Sequence, residues 1–170
     1  MKPRLLLAFA VSAASLQTVS AADQYWNHSP LTSTWDAATV NWATTSGGTA
    51  ANGWTGGNNA FFDQSGTYTV STSGALTAGT INLAAGDITC AGSDGVKATT
   101  VTIGSDATVR GAADRFIGSG TTNLEVNGTL NLTTGSAGSN RTALTGSGTI
   151  SNSNGSALRL TGTNVFSGNI

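Results

Sequence analysis

The amino-acid sequence predicts an all-β fold, a right-handed parallel β-helix of about 21 residues per rung with an aromatic-rich N-terminal cap. Three observations carry that expectation. Gly, Ser, Thr and Asn make up 84 of the 170 residues while charged residues are only 9%. After the N-terminus the apolar residues alternate with polar ones in short runs, and no stretch shows a helical period. Those runs also recur at one spacing. Ile81, Val101, Leu124, Leu144 and Phe166 are 20, 23, 20 and 22 residues apart; Ile88, Val109, Leu130 and Ile150 are 21, 21 and 20 apart; Val96, Phe116, Ala137 and Leu158 are 20, 21 and 21 apart. Three interleaved series with one period read as three faces of a coil.

The composition separates this reading from disorder. Disordered chains combine high net charge with few apolar residues, whereas here the net charge is −1 and hydrophobic residues reach 38%. Thr, Val and Ile suit strands, and Gly, Asn and Ser suit the turns between them.

From the start of the chain, residues 1–22 read as a secretory signal. Lys2 and Arg4 form a positive n-region, and Leu5 to Ala14 is an apolar run of h-region length. It is too short to span a bilayer, and no second apolar run follows. Cleavage is expected after Ala21, behind small residues at 19 and 21, or after Ala22, behind those at 20 and 22. The mature chain would keep five basic and eight acidic residues, a net charge near −3. Its basic residues, Lys97, Arg110, Arg115, Arg141 and Arg159, are scattered. Nucleic acid is therefore not an expected partner, because phosphate contacts need clustered cations.

Residues 23–66 hold all four tryptophans (Trp26, Trp35, Trp42 and Trp54), Pro30, His28 and the pair Phe61–Phe62. This segment suits an N-terminal cap, since a solenoid must cover the apolar surface of its first rung. Residues 67–170 are the repeats: 67–71, 80–83, 100–103, 123–126, 129–132 and 157–160 each alternate and are bounded by Gly, Asn or Ser-Gly. Equivalent strands would pair one rung apart, about 4.8 Å along the axis, so four to five rungs give a rod ~20 Å long. The pattern stops at Ser167-Gly-Asn-Ile170 without a second cap, so the chain is expected to be the leading part of a longer protein.

The search for chemistry yields no site: no catalytic, cofactor-binding or metal-ligating residue is expected, and the chain reads as a non-enzyme. Cys90 is the sole cysteine, and it follows Ile88 by two residues, on the same strand face, as a small buried hydrophobe. Glycoside hydrolysis needs two carboxylates flanking one bond. Of Asp63, Asp87, Asp94, Asp106, Asp114 and Glu125, those at 87, 106 and 114 fall near turns, where Asp is an ordinary turn-former, and Glu125 is on an outward position. Lys97 near Asp94 is the one hint of a lyase base beside a bound cation. His28 has no partner at ligand spacing. Asp94-Gly95 and Asn127-Gly128 are turn dipeptides, and Gly118-Ser-Gly120 and Gly146-Ser-Gly148 are corners. The tryptophans fit a cap better than a sugar-stacking platform. The sequons at Asn27, Asn127, Asn131, Asn140 and Asn154 are what a chain this rich in Asn, Ser and Thr contains by chance.

Residues 146–170 resemble the autotransporter-associated β-strand repeat, whose pattern is Gly-x-Gly, a short strand, then Leu-x-Leu-x-Gly-x-Asn-x-(Tyr/Phe)-Ser-Gly. Gly146, Gly148, Leu158, Leu160, Gly162, Asn164, Phe166, Ser167 and Gly168 occupy those places. The chain departs from it before Leu158, where Asn154-Gly-Ser156 replaces a Lys-Gly-Gly-like turn. Trp35-Asp36, Asn41-Trp42, Trp54 and residues 57–62 are similar to the leader of such proteins. The close match covers one repeat and that leader. It implies a β-helical passenger exported to the cell surface or beyond, often continuing into further repeats and a membrane-anchoring element, with no shared catalytic residues. The expected function is thus a non-catalytic exported scaffold for surface display or adhesion, associated with an outer membrane if an anchor follows. The alternative is a carbohydrate-binding or polysaccharide-degrading β-helix whose active rungs lie beyond the chain. Expected partners are surface glycans or another chain covering the open C-terminal edge.

Overall fold

The computed structural model describes residues 20–112, 121, 123–134, 143–153 and 162–170. Among them there are twelve β-strands and no helix. The strands are β1 (Asp23–Trp26), β2 (Ser33–Trp35), β3 (Trp42–Ala43), β4 (Asn59–Phe62), β5 (Thr67–Thr72), β6 (Leu76–Gly92), β7 (Val96–Ala112), β8 (Asn123–Val126), β9 (Thr129–Thr134), β10 (Ala143–Gly146), β11 (Thr149–Asn152) and β12 (Val165–Phe166). Every pairing among them is parallel except β1 with β3. Parallel pairing at a separation near 21 residues forces the chain once around an axis between partners. The result is the predicted β-solenoid.

Two of the three expected series are in register where they are described. On one face Ile81 pairs with Val101, Val101 with Leu124, and Leu124 with Leu144. On the next, Ile88 pairs with Val109, Val109 with Leu130, and Leu130 with Ile150. All eight are at most 5% exposed, so each series is a column of inward side chains. Neighbouring columns, Phe62-Leu83-Ile103-Val126 and Val70-Cys90, complete the interior. Each aliphatic side chain buried this way contributes about 1.5–3 kcal/mol. On the third face Val96 pairs with Leu76 and Ala98 with Ala78; Phe116, Ala137 and Leu158 lie outside the described residues.

Phe166 is a correction. Its partner is Gly146, not Leu144, because β12 pairs Thr145 with Val165 and Gly146 with Phe166. The place opposite Leu144 goes to Asn164, whose Oδ1 accepts the Leu144 N–H at 3.0 Å. Phe166 packs partly buried against the core.

Rung length varies at the corners, not in the strands. The path from Val101 to Val109 is eight residues, and from Leu124 to Leu130 it is six. The register shift after Leu83 takes up one residue of such a difference as a bulge. Where the corner is shortest, it contains glycine for a steric reason. A Cβ on Gly128 would lie 2.1 Å from the Gly104 carbonyl oxygen and 2.3 Å from that of Ala107. On Gly148 it would lie 2.1 Å from the Gly128 oxygen, and on Gly168 2.0 Å from the Gly148 oxygen. Successive rungs touch backbone to backbone along this column.

The first rung is closed by aromatic side chains. Trp26, Trp35 and Trp42 are fully buried and Trp54 is 5% exposed. Their rings and Phe62 meet at centroid distances of 4.6–5.6 Å, mostly edge-on or tilted. Strands β1, β2 and β4 bring Trp26, Trp35 and Phe62 from the coil itself; β3 and the segment after it bring Trp42 and Trp54 across its end. Strand β3 lies antiparallel on the outer edge of β1.

The glycine column makes a direct prediction. Gly128→Ala sets a methyl group against two carbonyl oxygens that belong to the backbone and cannot rotate away. Overpacking of this kind should cost roughly 3 kcal/mol, read as a lower denaturant midpoint. A variant as stable as the parent would show that the corner has room to spread.

Candidate functional site

The carboxylates weighed for catalysis are dispersed and individually engaged. Asp63 accepts from the hydroxyl of Ser46 and from Gln64 Nε2. Asp87 receives a bidentate pair from Arg110, Nε to Oδ1 at 2.8 Å and Nη2 to Oδ2 at 3.1 Å, across adjacent rungs. Asp94 accepts from the Gly74 N–H and the Ser93 hydroxyl, and its carbonyl accepts from Thr72. Asp106 accepts from Ser105, and Glu125 from Asn127 Nδ2. Asp114 lies outside the described residues. Lys97 sits opposite Thr77 on the third face.

No group of three His, Cys, Asp or Glu side chains able to hold a metal occurs among the described residues. The Nδ1 of His28 is 2.6 Å from the Pro30 carbonyl oxygen, a local turn contact. Cys90 is buried in its column beside Val70, and that burial pushes its thiol well up, which disfavours the thiolate.

The outward surface is laid out by the same registers. One ladder on the second face reads Thr67, Asp87, Thr108, Thr129 and Thr149. Its neighbour reads Thr69, Thr89, Arg110, Asn131 and Ser151. On the first face Tyr25, Phe61, Asn82, Thr102, Glu125, Thr145 and Val165 form one outward ladder. It begins with stacked rings, Tyr25 on Phe61 at 4.9 Å and 20°. Both rings are half-buried. Sequence reasoning missed this pair. The signal was available: both residues are apolar at positions whose alternation, set by Gln24 and Trp26 or by Ala60 and Phe62, points outward.

It also missed two buried amides that tie the N-terminal segment together. Gln24, 5% exposed, donates to the Gly53 carbonyl and accepts from the Thr55 N–H and Asn58 Nδ2. Asn41, fully buried, donates to the Thr34 carbonyl and accepts from the Ser33 hydroxyl.

Asp36 organises the turn after Trp35. Its Oδ1 accepts the N–H groups of Ala38 at 2.7 Å and Thr39 at 2.6 Å, and its Oδ2 accepts the Thr39 hydroxyl at 2.8 Å. The Thr39 N–H bond leads in holding this carboxyl below its ordinary value, against a smaller opposing effect of burial. Tyr68 behaves in the opposite way. Burial first, then the charge of Asp63, pushes its phenol far above the ordinary value. Its hydroxyl is buried with no hydrogen-bond partner among the described residues.

No family model, no curated protein and no solved structure matches the chain.

Two predictions follow from Asp36 and Tyr68. A carboxyl whose value is lowered by folding stabilises the fold above its unfolded value, about 3.9, and loses that contribution as pH falls through the folded value. The stability difference between the parent and Asp36→Asn should therefore be largest above about pH 5 and shrink on acidification; denaturant midpoints across pH test this, and a constant difference would refute it. Tyr68→Phe removes an orphaned hydroxyl while keeping the ring. It should raise stability by about 1 kcal/mol, and a loss of that size would reveal a partner for the hydroxyl.

Proposed function

We propose that this chain is an exported, non-catalytic β-helical scaffold that serves in display or adhesion at the cell surface. The observation that carries the reading is the pair of outward ladders, made of Thr, Ser and Asn and interrupted by the Asp87–Arg110 ion pair, over a largely apolar interior. Such a surface repeats at the rung spacing and offers several weak polar contacts of similar kind, which suits multivalent attachment.

The resemblance of residues 146–170 to the autotransporter-associated repeat supports the same reading through the roles of its described residues. Gly146, Gly148 and Gly168 are the positions where a Cβ would strike the previous rung, Asn164 caps Leu144, and the Ser167 N–H bonds to Gly146 at 3.0 Å. The repeat motif is in these terms a rung-stacking motif. The signal-like N-terminus supports export.

A second reading, carbohydrate binding, rests on the half-buried Tyr25–Phe61 pair beside Asn82 and Thr102. The four tryptophans are closed to ligands by their burial.

Producing cells treated with an external protease test the first reading. The chain should be surface-exposed and lost from intact cells, and beads coated with the purified protein should adhere to cells more than beads coated with albumin. Retention inside the cell or no adhesion would sink it. Retardation in gels containing a neutral polysaccharide, abolished by Tyr25→Ala with tryptophan fluorescence unchanged throughout, would favour the second.

A further inference from the structure

We infer that the chain is processed between Ala21 and Ala22, and that the amino group so created is a structural part of the first rung. The inference rests on the export reading and adds to it the place of the cut and the reason for that place. Small residues in the sequence permit a cut after either Ala21 or Ala22. The fold does not treat the two alike.

Residue 22 is engaged at both of its backbone polar groups. Its N–H donates to Asn58 Oδ1 at 3.1 Å, and its carbonyl accepts the Asn59 N–H at 2.9 Å. This second bond is the first step of the parallel ladder that continues with Asp23 opposite Asn59. Asn58 is itself aimed: its Nδ2 donates to Gln24 Oε1 at 3.0 Å, which turns Oδ1 toward residue 22. Gln24 in turn is buried and holds Gly53 and Thr55, so the acceptor is fixed from the interior outward. Ser20 and Ala21, exposed like Ala22, make no hydrogen bond with the described residues.

Hydrolysis after Ala21 adds one water across the Ala21–Ala22 peptide bond, leaving a carboxylate on the released segment and an ammonium on Ala22. A peptidase selecting small residues at the first and third positions before the bond supplies the catalysis. The ammonium keeps the bond to Asn58 Oδ1 and makes it charge-assisted, and the Ala22 carbonyl keeps its place in the ladder. Hydrolysis after Ala22 removes both. The Asn59 N–H then loses its acceptor, and Asn58 Oδ1 loses its donor, at the edge on which the aromatic cap is assembled.

The test is N-terminal sequencing and intact-mass measurement of the full chain exported by a bacterial host. The expected product begins Ala22-Asp23-Gln24-Tyr25-Trp26. A product beginning at Asp23, or at any other internal position, overturns the processing site while leaving export intact. A product that keeps Met1 overturns the export reading, and this inference with it. The structural half has its own measurement, on chains beginning at Ala22 and at Asp23 released from a fusion partner without added residues. The Asp23 chain should melt about 2–4 °C lower. Equal melting temperatures would overturn the role given to the amino group, whatever the sequencing shows.

Discussion

The structure depends on one constraint: each rung can bury its apolar side chains only against the rungs beside it. A single turn of this coil has no interior of its own. Ile81 becomes a core residue because Ala60 and Val101 stand on either side of it, and Ile88 because of Tyr68 and Val109. The parallel hydrogen-bond ladder imposes that alignment, and the alignment in turn makes the ladder worth forming. Corner chemistry follows from the same demand. Rungs close enough to pair bring the corner backbones into contact, which is why glycine stands at 128, 148 and 168.

The N-terminal end solves the problem of having no neighbour on one side. Four indoles and Phe62 fill the coil's end with large rings, where a smaller side chain would leave voids. Gln24 and Asn41 satisfy the backbone of the loops that carry those rings. Polar residues inside this cap therefore organise loops, in contrast to the largely apolar columns of the rungs.

The legible part of the fold was the part governed by alternation and period. Ile88, Val109, Leu130 and Ile150 are spaced in the sequence as they are paired in the sheet, since rung length between them varies only at the corners. Phe166 shows where counting apolar residues fails: the register follows backbone pairing, and Asn164 took the place Phe166 was expected to hold. The cap strands were not legible in the same way. The step from Tyr25 to Phe61 spans 36 residues, so no period of 21 could reveal it. The functional surface was least legible. Outward Thr, Asn and Ser satisfy solubility and strand propensity whether or not they bind anything, so their identity carries little information. The outward ring pair, Tyr25 on Phe61, needed the register to be seen as a pair.

The antiparallel strand β3 gives the rod a direction of growth. A parallel ladder can add a rung only to an edge that offers another parallel strand, and at the outer edge of β1 that place is taken by a reversed one. Along this ladder extension is thus left to the edge of β12. There each added turn closes a loop of about the same length however long the rod has become, so the entropy lost per turn stays constant. The first rung is the exception. Its closure over 36 residues costs only about 0.5 kcal/mol more than an ordinary turn, a small toll against the burial of four tryptophans. Length in such a molecule is set by how many turns are encoded, with no penalty that rises with size.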